Sequence, residues 1–244
     1  SLTYPIHGFF YQKEPQLMNH SSVSNHSDKH CKDAFEKIPP EKQKKILEAA
    51  VAEFAGNGFS AANINVIAKN AGISIGSMYN YFESKENLFL SVVDYGYKEL
   101  ETVLSTVDLG KGDIFDKFEM LIRIAQQFSK QRPQLNQIYL DLASQGLFHL
   151  SQKLSRQVES ITAFFYRSLM DDAKKQGHIA DDIDEYVTSF CLDNLLLLLQ
   201  FSYSSEYYKE RMKIFAGDDA IENDEKIVRG MMRFIRGALS PVKS

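Results

Sequence analysis

Apolar residues recur at every third or fourth position along most of the chain from about residue 40 onward, a spacing typical of amphipathic helices. The first helix is predicted to begin near Pro40, because proline suits a first helical turn, and to end at Gly56 and Gly58. Its apolar face is formed by Ile46, Leu47, Ala50, Val51 and Phe54. Such a face predicts a helix that packs on the core of a folded domain.

Two short helices and one long helix are predicted next. Asn63 and Ser74 have side chains that accept hydrogen bonds at helix N-termini, so they predict helix starts on either side of the turn Ala71–Ile73. Ser84 predicts the start of a longer helix that extends to about Leu104. Later helices are predicted at about 113–131, 133–145, 150–176, 184–203 and 224–239. With no alternating strand pattern of useful length, the sequence predicts an all-α fold of about nine helices.

Changes in composition predict the domain organisation. Residues 1–37 mix His, Ser, Asn, Asp and Lys with little apolar periodicity, so they predict an irregular tail. Residues 38–84 fit a three-helix domain that contains a helix-turn-helix, and residues 85–244 fit a larger helical bundle. The polar and aromatic stretch 206–215 is assigned no helix. Because Met18 could be a natural start, the sequence leaves open whether residues 1–17 are native.

Composition narrows the class of protein. A net charge of −4 argues against a protein that coats nucleic acid, so any DNA contact must rely on a local surface. Cys31 and Cys191 give no disulfide framework, which fits a reducing, cytoplasmic setting, and no run of about 18 apolar residues predicts a membrane span. The spacing of His20, His26, His30 and Cys31 fits no structural zinc site. No catalytic constellation stands out, so we expect no enzyme activity, metal or cofactor.

Residues 63–82 carry the pattern that points to function. Two short helices meet at a glycine turn, and the second presents hydroxyl, amide, glycine and tyrosine groups at its outer positions. A helix of this build can enter the major groove, about 12 Å wide, where its polar groups reach base edges and phosphates. The pattern therefore favours a helix-turn-helix that binds double-stranded DNA.

This stretch and its flanks, residues 41–90, resemble the TetR family of bacterial regulators. The matching residues are Gly58-Phe59, Ile67-Ala68, Ala71-Gly72, Ser74, Gly76, Met78-Tyr79, Tyr81-Phe82, Lys85 and Leu88. The rest of the chain matches that family only in its layout of helices.

The resemblance implies a role for each matching position. The second short helix would read DNA through Ser74, Ser77, Tyr79, Asn80 and Tyr81. Asn63 and Lys85 would hold phosphates, and Lys44 is expected on the same basic face. Because residues 41–104 hold six lysines against eight Asp and Glu residues, we expect a modest non-specific affinity and a shallow salt dependence.

The larger bundle is expected to supply a dimer interface and an effector site. The helix at 184–203 is apolar on most sides, and the last helix has a second apolar face. The resemblance implies that both enter a four-helix homodimer interface, with the candidates Phe190, Asn194, Leu197, Phe201, Met231 and Phe234. It also implies an effector cavity within residues 113–170, for which the candidates with polar tips are Tyr139, His149 and Tyr166.

The sequence thus predicts a homodimeric, ligand-responsive transcriptional regulator, a repressor that a small-molecule effector releases from a palindromic DNA operator. Two alternatives stay open: an all-α interaction module whose helix-turn-helix binds no DNA, and a helical small-molecule enzyme. A gel shift with genomic DNA fragments separates the regulator from both, because only the regulator binds a palindrome.

Overall fold

The computed structural model describes residues 30–105, 111–144 and 148–241. The helices in these ranges are α1 (Asp33–Glu36), α2 (Pro40–Ala61), α3 (Ile64–Ala71), α4 (Ile75–Tyr81), α5 (Lys85–Ser105), α6 (Ile114–Gln131), α7 (Pro133–Ser144), α8 (Phe148–Lys175), α9 (Glu185–Ser204), α10 (Glu206–Ala216) and α11 (Asp224–Leu239). None of the described residues lies in a strand, so the predicted all-α class is confirmed. Helices α1 and α10 were not predicted.

The chain divides into two compact units, residues 1–106 and 107–244. This division differs from the predicted boundary after residue 84, because α5 groups with the first unit. The reason lies in its buried side chains: Leu88 and Val92 are fully buried, and the Phe89 ring meets those of Phe54 and Phe59 edge-on at 5.1 and 5.2 Å. The first unit is therefore a four-helix core, α2 to α5, with α1 added at its N-terminal side.

The end of α2 was predicted at Gly56 and Gly58, and of these two glycines only Gly58 interrupts the helix. The helix continues through Gly56, since a glycine in a helix interior costs only about 1 kcal/mol relative to alanine. The regular helix breaks instead at Gly58, whose φ of +70° is a left-handed conformation that glycine adopts without steric strain. Gly58 thus redirects the chain toward α3.

Helices α3 and α4 form the predicted helix-turn-helix. The Asn63 side chain accepts a hydrogen bond from the Asn65 backbone N–H at 2.9 Å, which caps α3 as expected. Gly72 ends α3 with a φ of +71°, and the next N–H, that of Ile73, donates to the Ala68 carbonyl at 3.0 Å. This glycine closes the turn because other residues rarely adopt its backbone conformation.

Helix α10 occupies the stretch that was left without a helix. Its inner side packs on α9 through Met212, which is buried, and through Tyr208, whose ring lies 5.7 Å from that of Phe201. The outer side keeps Tyr207, Ile214 and Phe215 exposed. Apolar residues on both sides obscure the periodicity of this helix, which is why its pattern did not predict it.

In the second unit, a polar network joins the start of α11 to α6 and α9. The Lys130 Nζ donates to both carboxylate oxygens of Asp224 at 2.8 and 2.9 Å, and the Tyr203 hydroxyl donates to the same carboxylate at 3.1 Å. Gln126, which is buried, donates through Nε2 to the Tyr203 oxygen at 3.0 Å. Because each buried polar group here has a partner, the network holds α11 in a defined register on α6.

Candidate nucleic-acid interface

The outer side of α4 carries the exposed groups of the helix-turn-helix. Tyr79 is 51% exposed, and Asn80 is exposed beside it. Ile75, which is 38% exposed in the first turn, is able to contact a thymine methyl. The opposite side is closed by Met78, which is buried. Helix α4 therefore presents a phenol, an amide and an apolar group to solvent from a fixed backbone.

Two serines organise the start of α4. The Ser74 Oγ accepts a hydrogen bond from the Ser77 backbone N–H at 3.0 Å, as predicted for a capping residue, and the two Oγ atoms lie 2.9 Å apart. Ser74 is exposed and Ser77 is half-buried. The pair is thus held in one arrangement before any contact with DNA, which reduces the entropy that binding must remove.

Asn63, Lys44 and Lys69 are the other candidate contacts of this region. The Asn63 Oδ1 accepts the capping bond, so the Nδ2 amide is the group left to meet a phosphate. Lys44 on α2 and Lys69 on α3 are exposed. Positive charge in the helix-turn-helix region is therefore sparse and lies at its margin.

Lys85 is engaged within the protein. Its Nζ donates to the carbonyls of Ser60 and Ala62 at 3.0 and 3.2 Å and lies 4.9 Å from the centre of the Phe59 ring. These contacts tie the end of α2 to the start of α5. A phosphate contact by Lys85 stays a prediction, and such a contact has to share the ammonium group with two carbonyls.

Tyr81 is placed differently from the prediction that it contacts DNA. It is only 7% exposed, and its ring meets the ring of Phe35 edge-on at 5.8 Å. Phe35 also packs on Phe82 at 4.8 Å between ring centres. We therefore correct the role of the Tyr81 ring from a DNA contact to a core residue that supports α4.

The cover over Tyr81 is formed by residues 30–37, which we call the N-terminal strap. The backbone N–H of Lys32 donates to the Tyr81 carbonyl at 2.9 Å, and its Nζ donates to the Tyr79 carbonyl at 2.9 Å. Both acceptors belong to the last turn of α4, whose carbonyls lack partners within the helix. The predicted irregular tail is therefore wrong for α1 (Asp33–Glu36); residues 1–29, including His20 and His26, lie outside the described residues.

Part of the predicted dimer surface is exposed in the protomer. Phe190 on α9 is 70% exposed and Phe234 on α11 is 64% exposed, whereas Leu197 and Met231 are half-exposed. Asn194 is also half-exposed, and its Nδ2 donates to the carbonyl of Phe190 at 2.7 Å. Their exposure is compatible with the predicted dimer surface, which stays a prediction.

Phe201 does not belong to this surface. It is 5% exposed and packs within its own protomer between the rings of Tyr139 and Tyr208, at 6.1 and 5.7 Å. Its position on the helical wheel matches the predicted dimer face, but α10 folds back over the end of α9 and covers it. The prediction that Phe201 enters the interface is therefore wrong.

The candidate effector residues lie on α7 and α8. The Tyr139 hydroxyl donates to the Glu159 carboxylate at 2.6 Å. Tyr166 is buried and stacks on Phe118 at 6.1 Å, and burial together with the nearby Asp193 carboxylate raises its pKa. His149 lies in α8, but its side chain is outside the described residues. Their role in binding an effector stays a prediction.

Asp193 gives this region a testable pH dependence. Burial and the neighbouring Glu159 raise the pKa of Asp193 to about 6, above the ordinary value of 3.8. The folded state therefore binds this proton more tightly than the unfolded state, so stability falls as the pH rises from about 4 to 6 and the loss persists above pH 6. Asp193→Asn removes that cost, and we expect the free energy of unfolding at pH 8 to rise by about 1–2 kcal/mol.

Urea denaturation at pH 4 and pH 8 measures this effect. We expect the variant to gain stability at pH 8 but not at pH 4, whereas Asp182→Asn, which changes an exposed carboxylate in the same unit, leaves both values unchanged. An equal gain at both pH values would mean that the side chain volume, and not its charge, is responsible.

The described residues show no membrane-spanning helix and no metal cluster. No helix among the described residues is both long and apolar enough to cross a bilayer. In the same part of the chain, no three His, Cys, Asp or Glu residues are grouped closely enough to hold a metal ion.

Comparison with known proteins agrees with this geometry. Residues 46–92 match the family model described as bacterial regulatory proteins, tetR family. The HTH-type transcriptional regulator YhgD of Bacillus subtilis is 23% identical over 167 residues, which cover 68% of this chain and 86% of YhgD. The HTH-type transcriptional repressor KstR of Mycolicibacterium smegmatis is 22% identical over 182 residues, which cover 71% of this chain and 84% of KstR.

Solved structures show the same fold. The transcriptional regulator FadR from Bacillus subtilis, in complex with stearoyl-CoA, superposes with a TM-score of 0.61 at 18% identity and covers 76% of this chain and 95% of its own. A TetR family regulator from Chloroflexus aurantiacus gives a TM-score of 0.57 at 21% identity, with 83% and 97% covered. At this level of identity the similarity concerns the fold.

Proposed function

The chain belongs to the tetR family of bacterial regulatory proteins, and we propose that this DNA-binding regulator is a homodimeric repressor that reads a palindromic operator through α4. The observation that carries the proposal is the outer side of α4, where Asn80, Tyr79 and Ser77 project from a helix whose other side is closed by a core. In the family, this second helix of the helix-turn-helix is the element that enters the major groove.

We divide the surface into side chains that read bases and side chains that position the protein. Asn80 is exposed and carries an amide, the group that pairs with both major-groove atoms of adenine. Ser77 supplies a hydroxyl able to contact either a base or a phosphate. Lys44, Asn63 and the Tyr79 hydroxyl are assigned to phosphate contacts, which fix the register of the protein without reading sequence.

Substitutions in the two groups are expected to have different effects. Asn80→Ala and Ser77→Ala each weaken operator binding by about 1–3 kcal/mol and relax preference at one or two base pairs. Lys44→Ala weakens binding to operator and random duplexes alike and lowers the salt slope by about one unit. The operator is first obtained by selection from a randomised duplex library, and affinities are then measured by fluorescence anisotropy at several salt concentrations.

Lys69→Ala serves as a second charge control on α3. If all four variants lose equal affinity for operator and random DNA, α4 has no reading role. If the library returns no preferred sequence at all, the alternative of a helix-turn-helix that serves protein interaction replaces the proposal.

The dimer proposal follows from the symmetry of a palindrome. A two-fold dimer places two α4 helices on half-sites about 34–36 Å apart, one turn of the double helix. We propose that the exposed residues of α9 and α11, with Phe190 and Phe234 at their centre, form this two-fold interface. Their exposure in the protomer supports that assignment, because burial against a second copy removes large apolar groups from water.

We propose that the second unit binds a small-molecule effector and has no catalytic role. FadR, a relative in fold, was solved with stearoyl-CoA. In this chain the candidate effector residues are Tyr139, His149 and Tyr166. An effector releases DNA only if it binds the two states of the dimer with different affinity, a coupling of about 1–3 kcal/mol in typical cases.

A further inference from the structure

A groove of about 380 Å³ between α6 and α11 is lined by four arginines. Three of them, Arg229, Arg233 and Arg236, lie on α11 and are exposed, and the fourth, Arg123, lies across the groove on α6. Its floor is apolar, since Val228 and Met232 are buried. Glu119 is the one acidic residue in the lining.

The acidic side chains near the groove are already engaged by Arg123. The Arg123 guanidinium donates from Nη2 to Glu119 at 2.8 Å and to Glu225 at 3.1 Å, and its Nη1 donates to Glu225 as well. Within the described part of the chain, no carboxylate lies within ion-pair distance of the three arginines of α11. Arg229 donates through Nε to the Glu225 backbone carbonyl, and Arg236 stacks on the Phe115 ring at 4.5 Å.

The arginines of α11 repel one another, and Glu225, one turn before Arg229, offsets only part of that repulsion because its carboxylate is hydrogen-bonded to Arg123. Arg229 and Arg233 are four residues apart, a spacing at which like charges destabilise a helix. The helix dipole favours cations only in the last turn, so it accounts for Arg236 but not for Arg229 or Arg233. An anion held between the guanidinium groups removes the repulsion.

The arginine face is separate from the proposed dimer face. Each residue of an α-helix turns by about 100° about the axis. The mean direction of the three arginines therefore differs by roughly 160° around α11 from the mean direction of Met231 and Phe234. Dimerisation through Phe234 therefore leaves the groove open to solvent. The arginines span seven residues, or about 10 Å along the helix axis, the length of a compact polyanion rather than of a single ion.

We propose that this groove binds an organic or inorganic polyphosphate, with the guanidinium groups of Arg229, Arg233 and Arg236 donating to its oxygens. Guanidinium groups match phosphate oxygens in paired hydrogen bonds, and a concave site of a few hundred cubic ångströms suits a small molecule. The site goes beyond operator reading, and its test uses the dimer without DNA, so it succeeds or fails independently of the proposed function.

Isothermal titration of the full chain with pyrophosphate, inorganic phosphate and ATP tests the proposal. We expect one pyrophosphate per protomer, with inorganic phosphate at least tenfold weaker. Arg229→Gln/Arg233→Gln should weaken pyrophosphate at least tenfold, whereas Arg211→Gln, an exposed arginine on α10, should leave it unchanged. Tighter binding of ATP than of pyrophosphate identifies a nucleotide as the ligand, and equal binding identifies the free polyphosphate.

Three results would overturn the proposal. They are the absence of pyrophosphate binding to the wild-type protein, an equal loss in the Arg211 control, and displacement of pyrophosphate by a deca-glutamate peptide at lower concentration than by ATP. The last result would assign the arginines to an acidic protein partner. Circular dichroism of the double variant checks that the total helix content is unchanged.

Discussion

Phe190→Glu is expected to convert the dimer into a monomer while the protomer stays folded. Phe190 is 70% exposed in the protomer, so a charged side chain there costs the isolated protomer little. In the proposed interface the same position is buried, and an unpaired carboxylate in such a place costs several kcal/mol. Because a two-fold interface repeats each contact, the cost is counted twice, and we expect the dimer dissociation constant to rise at least a thousandfold.

Sedimentation velocity over a range of protein concentrations measures this change, and circular dichroism measures the helix content. Val66→Glu is the matched control, because Val66 is an exposed apolar residue of the first unit that the proposed interface does not include. Leu197 is a less suitable target, since it is half-buried in its own protomer and a glutamate there disturbs both states. A dimer that survives Phe190→Glu with unchanged affinity rules out the α9 surface.

Phe35→Ala is expected to lower operator affinity by at least tenfold without a comparable loss on random DNA. Phe35 is buried against Tyr81 and Phe82, at the end of α4 that carries Tyr79 and Asn80. Removing its ring leaves a cavity and releases the N-terminal strap, so the last turn of α4 loses part of its support. A reading helix that is no longer held in one position pays an ordering cost when it binds its specific site.

The ratio of operator to random-DNA affinity is the informative measurement for this variant. Phe35→Leu keeps an apolar side chain in the same place, so its ratio of operator to random-DNA affinity should be close to that of the wild-type protein. Lys32→Ala removes the Nζ bond to the Tyr79 carbonyl and should show a smaller loss of the same kind. Thermal unfolding of each variant is measured as well. If the variant loses affinity for operator and for random DNA equally, and only as far as its stability falls, the strap has no part in reading.

The elements of this fold that could be predicted are those whose signal is local. The caps at Asn63 and Ser74 and the αL glycine at Gly72 each act through hydrogen bonds to neighbours within about four residues. A side chain that needs only its own neighbours to define a helix end leaves that information in the sequence. Periodicity likewise predicted the long helices, since a buried face repeats every 3.6 residues.

The site was predictable in its motif but not in the state of each side chain. The sequence identified Tyr79, Asn80 and Tyr81 as one turn, and the three-residue step from the buried Met78 to Tyr81 is a local signal that separates the buried tyrosine from the exposed pair. What buries Tyr81 is Phe35, which is 46 positions earlier in a segment that looks irregular. A second signal was Phe35, a large apolar residue in a polar tail, whose partner could be found only in the fold.

The contacts that Lys85 and Phe201 make within the protomer were not predicted, for the same reason. The Lys85 ammonium meets carbonyls at the end of α2, and α10 covers Phe201, and both contacts join segments that the helical wheel treats separately. The sequence by itself thus determined the helical class, the capped helix starts at Asn63 and Ser74 and the helix-turn-helix motif, because these depend on local hydrogen bonds and on apolar spacing. Only the tertiary structure decided which motif side chains face solvent, because burial depends on which distant segments pack together.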